Sequence, residues 1–242
     1  MTESLAVSAH QLTKTYGSGE NVVFALRDVS LSIPSGRFVA IMGPSGSGKS
    51  TLMHCLAGLD NPSSGEVYIE GQNITAMQDQ QLTELRRRRV GFVFQAFNLV
   101  ATLNARQNIE LPFLLDGKKP NSERISSITK MLGLQERLTH KPHELSGGQQ
   151  QRVAIARALA TEPAVLFADE PTGNLDTNSG RSVLGFLRTC ADEGQTIIMV
   201  THDPAAATYA DEVLVMRDGC LVDTITSPTV QSVTGALTEV GV

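Results

Sequence analysis

The sequence predicts an α/β fold: a mixed, mainly parallel sheet with helices, an antiparallel β part, and an α-helical subdomain inserted into the core. Three observations support this. The runs at 38–42, 165–168 and 197–200 are short and wholly apolar, as strands buried on both faces of a parallel sheet must be. The first of them enters a glycine-rich loop followed by a helical pattern, the strand–loop–helix step of α/β units. From about residue 95 to 160 the texture changes to helical spacing, with breaks at Pro112, Pro120 and Pro142.

Taken in order, residues 5–16 and 22–33 are rich in Val, Leu, Ile and Thr around Gly17-Ser18-Gly19, and read as two antiparallel strands. Pro34-Ser35-Gly36 turns the chain into the strand at 38–42. Residues 51–59 read as a helix ending near Gly58. A strand is expected at 91–94, and helices over 122–132 and 153–160 where apolar residues recur at helical spacing. Residues 211–216 and 220–225, joined by Asp218-Gly219, form a hairpin. The small polar residues after Ser227 give no clear pattern.

The 242 residues suffice for one large domain with a sizeable core. A net charge of −5 argues against nucleic acid as the main partner, and Arg86–Arg89 reads as a solvated charged face before a strand. The apolar runs are too short to span a bilayer, and residues 1–10 lack the basic-then-apolar order of a secretion signal. Cys55, Cys190 and Cys220 are scattered without metal-ligand spacing, and read as small buried or partly buried hydrophobes in a reducing compartment.

The chemistry begins at Gly43-Pro44-Ser45-Gly46-Ser47-Gly48-Lys49-Ser50, with Thr51 opening the helix. The glycines let successive N–H groups point inward at phosphate oxygens, and the helix end adds its dipole. Lys49 would reach the β- and γ-phosphates and Ser50 would place its hydroxyl on Mg²⁺. The bland alternative, an ordinary glycine turn, does not require the complete eight-residue pattern. Asp169 and Glu170 close the strand at 165–168, at the end where open parallel sheets place ligands. Asp169 would orient the magnesium shell through water and Glu170 would polarise the attacking water. Two acids at a solvated strand end would be the reading without the upstream loop.

A second cradle lies about a hundred residues on, at Leu145-Ser146-Gly147-Gly148-Gln149. Ser146 is a good N-cap and the glycines permit close approach of backbone to an anion. One chain has little use for two cradles on one nucleotide unless a second copy supplies the other.

These motifs together resemble the ATP-binding cassette (ABC) ATPases, for which Leu145–Gln149 is the signature, over residues 5 to about 225. The resemblance implies a P-loop NTPase core in a single ATPase domain over 5–227, its β and core parts at about 5–94 and 161–227. A helical subdomain at about 95–160 and a tail at 228–242 complete the expectation. It implies ATP and Mg²⁺ as ligands, with Tyr16 stacking on adenine; a strand-end Tyr packed on the core is the competing reading. Gln95 would touch Mg²⁺ and relay nucleotide state to the helical subdomain. His202 would hold the γ-phosphate, although alone it would pass for a structural or surface histidine. Asn174-Leu175-Asp176 would cross a dimer interface beside the opposite site, with Asn174 where many members carry Ser. Catalysis would rest on Lys49, Glu170 and His202.

The resemblance further implies a head-to-tail homodimer in which Gly43–Thr51 of one copy and Ser146–Gln149 of the other enclose each ATP. A separate integral-membrane permease would dock just after Gln95, holding the chain at the cytoplasmic face of the membrane. The stretches at 85–95 and 168–176 look like the branch serving macrolide, peptide and lipoprotein exporters. A machine that moves no substrate and passes force to an extracytoplasmic partner stays open. Soluble ABC proteins of translation or DNA repair fit poorly, since two cassettes or long coiled coils do not fit this length.

Overall fold

Alternation along the apolar strands decides which layer each side chain enters. In β3 (Phe38–Met42), Phe38, Ala40 and Met42 face one hydrophobic cluster while Val39 and Ile41 face another, and every one of these is buried. A strand with apolar side chains on both faces must lie in the middle of three layers. The computed structural model describes residues 4–241. Residues 1–3, part of the segment read for a secretion signal, and residue 242 of the tail lie outside the described residues.

The main sheet has six strands in the order β10-β9-β3-β8-β7-β6. Here β6 is Val90–Val93, β7 Val165–Asp169, β8 Thr196–Val200, β9 Glu212–Arg217 and β10 Cys220–Thr226. Strands β9, β3, β8, β7 and β6 pair in parallel, and β10 alone runs antiparallel, on β9. The expected hairpin is thus the edge of the main sheet. A second, antiparallel sheet joins β1 (Leu5–Tyr16), β2 (Val23–Pro34), β4 (Ser64–Ile69) and β5 (Gln72–Asn73) in the order β2-β1-β4-β5. With α1 (Lys49–Leu56) it covers one face of the main sheet; Val7, Leu12, Leu26, Leu52 and Leu56 share a cluster with Val39 and Phe167.

The other face is covered by helices. They are α3 (Ala105–Leu115), α4 (Ser122–Met131), α5 (Gly147–Leu159), α6 (Thr177–Asp192), α7 (Pro204–Ala207) and α8 (Val230–Glu239). In the tail, Thr229 caps α8, and Val233 and Leu237 are buried one helical turn apart. Residues 60–90 hold three elements that the sequence did not suggest: β4, β5 and α2 (Asp79–Arg89). The four arginines form the last turn of α2, where the helix dipole favours positive charge. Arg86 donates to Gly58 O, Arg87 to Asp116, and Arg88 and Arg89 pair with Glu84 and Glu70. Pro112, read as a break, sits inside α3 instead. Its missing N–H costs the ladder the one bond to Asn108 O, and the helix ends three residues later.

Candidate functional site

Parallel strands deliver their C-terminal ends to one edge of the sheet. The chain leaves β3 into Gly43, β6 into Phe94 and Gln95, β7 into Glu170, and β8 into Thr201 and His202. Four loops far apart in sequence therefore meet along one rim.

At the first loop Gly43, Gly46 and Gly48 have φ of 147°, 81° and 99°, which side-chain-bearing residues rarely adopt. A Cβ at Gly43 would lie 2.1 Å from Met216 O and one at Gly48 2.3 Å from Ala25 O, so the chain passes too close for any other residue. Around Gly46 the space is open. Gly48 caps α1 without a side-chain acceptor, so the first N–H groups of the helix stay free for an anion. Lys49 Nζ donates to Gly43 O at 2.9 Å and Pro44 O at 2.7 Å, which holds its charge at the loop. Burial pushes the ammonium below its usual pKa, against the pull of Glu170 and Asp169. Ser47 Oγ is buried without a hydrogen-bond partner, while Ser45, Gly46 and Ser50 are exposed and Thr51 is half-buried. A cradle with free N–H groups, an ammonium and open space fits a polyphosphate.

Asp169 and Glu170 sit where β7 ends. Burial pushes the Asp169 carboxyl above its ordinary value; Glu170 adds to this, while His54 and Lys49 pull it down. Glu170 adopts left-handed backbone, φ 47°, a strained setting for a glutamate. Its N–H donates to Val200 O at 3.0 Å and its carbonyl accepts Gly173 N–H at 3.0 Å, which closes the turn. The carboxylate Oε1 lies 2.9 Å from His202 Nδ1. Glu170, Gly173, Thr201 and His202 line an open hollow of about 430 Å³.

Gln95 is exposed, and its amide is clasped: Nε2 donates to Asn174 Oδ1 at 3.2 Å and Asn174 Nδ2 donates to Gln95 O at 3.1 Å. A Cβ on Gly173 would lie 2.6 Å from Gln95 Nε2, so that glycine makes room for the clasp. Asn174, flagged in the sequence as a departure from many members, is therefore the partner of Gln95. Asp176 caps α6, accepting the N–H groups of Asn178 and Ser179 at 3.0 and 3.1 Å. Hydrogen bonds from Ser179 hold its carboxyl below the usual range.

Tyr16 is 45% exposed, against a core-packing role. Its hydroxyl donates to Asp60 Oδ2 at 2.7 Å, and Lys14 Nζ lies 4.9 Å from the ring centroid. Desolvation pushes the Asp60 carboxyl up, but hydrogen bonds from Lys14 and Tyr16 outweigh it and hold the group below its ordinary value. With one face under a lysine and its hydroxyl tied to Asp60, the ring is held in one orientation. Asp60 lies outside every motif in the sequence.

The second cradle is a complete N-cap. Ser146 Oγ accepts Gln149 N–H at 3.3 Å, and Gln149 Oε1 accepts Ser146 N–H at 3.0 Å. Ser146 is exposed. Gly148 has an internal reason to be glycine: a Cβ there would lie 2.9 Å from both Cβ and Oγ of Ser179 on α6. Among the described residues no hydrogen bond joins Ser146–Gln149 to Gly43–Thr51. The structure thus brings together Gly43–Thr51, Gln95, Asp169, Glu170 and His202 at one rim, and leaves Ser146–Gln149 on a separate helix end.

A phosphate loop feeding a helix beside a strand-end Asp-Glu pair defines a nucleotide-hydrolysing α/β domain. The family described as ABC transporter matches residues 26–173, and the chain belongs to it. It is an ATPase of that family and an ATP-binding subunit of the transporter type. An uncharacterized ABC transporter ATP-binding protein of Methanocaldococcus jannaschii is 49% identical over 221 residues, 90% of this chain and 99% of the relative. A macrolide export ATP-binding/permease protein of Neisseria gonorrhoeae is 48% identical over 225 residues, 92% of this chain, which spans 35% of that protein. A solved ATP-binding cassette in a dimeric post-hydrolysis state, bound to ADP and Pi, is 42% identical with a TM-score of 0.82. The alignment covers 92% of this chain and 99% of that one. Among the described residues no helix is long and apolar enough to cross a membrane.

Proposed function

We propose that the chain powers a membrane exporter from its cytoplasmic face, working as a head-to-tail pair of identical copies on a separate permease. The observation that carries this reading is the capped, exposed helix end at Ser146, which among the described residues makes no hydrogen bond to its own phosphate loop. The N–H groups at such an end favour anions. A second copy turned head to tail would bring it to the γ-phosphate held by Gly43–Thr51. The dimeric cassette holding ADP and Pi supports the pairing by analogy.

In each site Tyr16 would stack on adenine, and Lys49 with the loop N–H groups would hold the β- and γ-phosphates. Glu170 would accept the proton of the attacking water, with His202 aligning that carboxylate and donating to the γ-phosphate. Ser50, Gln95 and Asp169 offer oxygen donors suited to Mg²⁺, a hard cation that keeps water and phosphate ligands instead of demanding an all-protein cage. When bound, that ion neutralises charge developing on the phosphate oxygens. The permease would dock in the groove of about 290 Å³ between α2, β6 and α3, lined by Phe92, Leu111 and Leu115. Leu115 there is 67% exposed, and Leu114, its neighbour in the chain, 62%. Of the phenylalanines near it, Phe113 packs on the core, and Phe92 stacks on Phe94 with centroids 4.4 Å apart. Likeness to the macrolide exporter favours export of a drug-, peptide- or lipid-like substrate.

The test is Glu170→Gln with Mg-ATP in size-exclusion chromatography. Turnover should fall about 10²–10⁴-fold, the range for loss of a general base, while an ATP-held dimer accumulates. A variant that stays single with ATP bound would overturn the paired reading.

A further inference from the structure

Gln151 is completely buried on α5, five residues past the Ser146 cap, and nothing in the chemistry above uses it. Its Nε2 donates to Pro171 O at 2.7 Å and reaches Phe94 O at 3.4 Å. Its Oε1 is buried with no donor. The amide orientation is fixed by these contacts, because the reverse would set Oε1 against two carbonyl oxygens.

Packing alone does not call for glutamine here. Methionine would fill similar space without a stranded side-chain acceptor, a costly condition for a buried polar group, and would give up only the donor to the Pro171 and Phe94 carbonyls. What glutamine adds is the identity of its partners. Pro171 directly follows Glu170, and Phe94 directly precedes Gln95. One side chain on the signature helix therefore holds the backbone beside both the candidate base and the magnesium-touching glutamine. The two loops are themselves joined by the Gln95–Asn174 clasp.

We propose that Gln151 is a positioning residue that couples the Glu170 and Gln95 loops to the placement of the Ser146 helix end. A shift of either loop on nucleotide binding changes the pull on α5, and so the site offered to the partner copy. The bond to Pro171 is short and the one to Phe94 long, so the Glu170 loop is the firmer connection and the Gln95 loop the freer one. The unpaired Oε1 is the acceptor that a shifted loop N–H would take. This inference rests on the paired-site reading of the proposed function.

The experiment compares Gln151→Met and Gln151→Glu in the full chain, alone and combined with Glu170→Gln. Gln151→Met should keep a cooperative melt without ATP and bind a fluorescent ATP analogue within about twofold of wild type, since it touches no ligand. Its kcat should fall about tenfold, and in the Glu170→Gln background the ATP-held dimer should need about tenfold more protein. Gln151→Glu supplies a readout that a filler residue would not move. Its carboxylate would face the Pro171 carbonyl, whereas its protonated form can donate to it, so its kcat relative to wild type should rise from about pH 8 to about pH 6.

Wild-type kcat and dimer formation in Gln151→Met would overturn the proposal, as would loss of the melt and of nucleotide binding together with a Gln151→Glu profile parallel to wild type. If Glu170→Gln with Gln151 intact forms no dimer, the paired-site reading itself is lost, a result distinct from failure of Gln151 alone.

Discussion

Gly148→Ala separates what the second cradle needs for folding from what it needs for ATP. The added Cβ would meet Ser179 Cβ and Oγ at 2.9 Å, whereas ordinary contact begins near 3.4 Å, so α5 and α6 must part by about half an ångström. Overpacking of this kind costs about 1–3 kcal/mol, while replacing a helical glycine with alanine returns about 1 kcal/mol of propensity. The net expectation is a loss of about 0–2 kcal/mol in urea unfolding. Ser179→Gly removes both clashing atoms. In the double variant the strain should vanish, giving a coupling energy of about 1–3 kcal/mol in a double-mutant cycle. Because the new methyl would point at α6 and not at solvent, ATP turnover should return with stability. Additive effects of the two substitutions would refute the packing argument. Restored stability with turnover still absent would show that the glycine is needed by the ligand side.

Asp169→Asn should raise the melting temperature of the nucleotide-free chain at neutral pH while abolishing turnover. Burial raises the Asp169 carboxyl, so the native state is favoured below the ordinary carboxylate value and loses that advantage as pH rises through the raised one; an unchanged or lower melting temperature at pH 7 tells against this. Burial drives the Cys55 thiol up to about 12 and the Cys190 thiol to about 11, so a thiol reagent near pH 7.5 should label Cys220 alone until the chain is unfolded. Mass spectrometry of the labelled chain decides, and rapid labelling of Cys55 would contradict a thiolate fraction roughly a thousandfold below normal. Asp60→Ala should weaken ATP binding about three- to tenfold with kcat little changed, since it releases Tyr16 and Lys14 and touches no phosphate; unaltered affinity for a fluorescent analogue would remove Asp60 from the site.

What could be read from the chain follows how local each signal is. Strands buried on both faces announce themselves, because Phe38–Met42, Val165–Asp169 and Thr196–Val200 carry almost nothing but apolar residues. The Ser146 cap was legible because a capping box needs only four consecutive residues. By contrast α2 buries just Leu82 and Leu85 among polar neighbours, so it has almost no apolar stripe to detect. In the tail, Val233 and Leu237 did stand four residues apart, a signal diluted by Ser, Thr and Gly. Asp60 at Tyr16, Asn174 at Gln95 and Gln151 at Pro171 join residues 44, 79 and 20 positions apart. No periodicity records such meetings; only the assembled sheet edge does.

With Glu170 as the proposed base, its left-handed turn sets stability and hydrolysis against each other at one position. An L-residue pays about 1 kcal/mol or more for that backbone, and glycine or asparagine would relax it. Any screen that rewards heat resistance alone would thus be drawn towards variants without the proposed base at this turn. The bonds to Val200 and from Gly173 let the glutamate persist there, so weakening either would spread disorder first to the carboxylate proposed as the base.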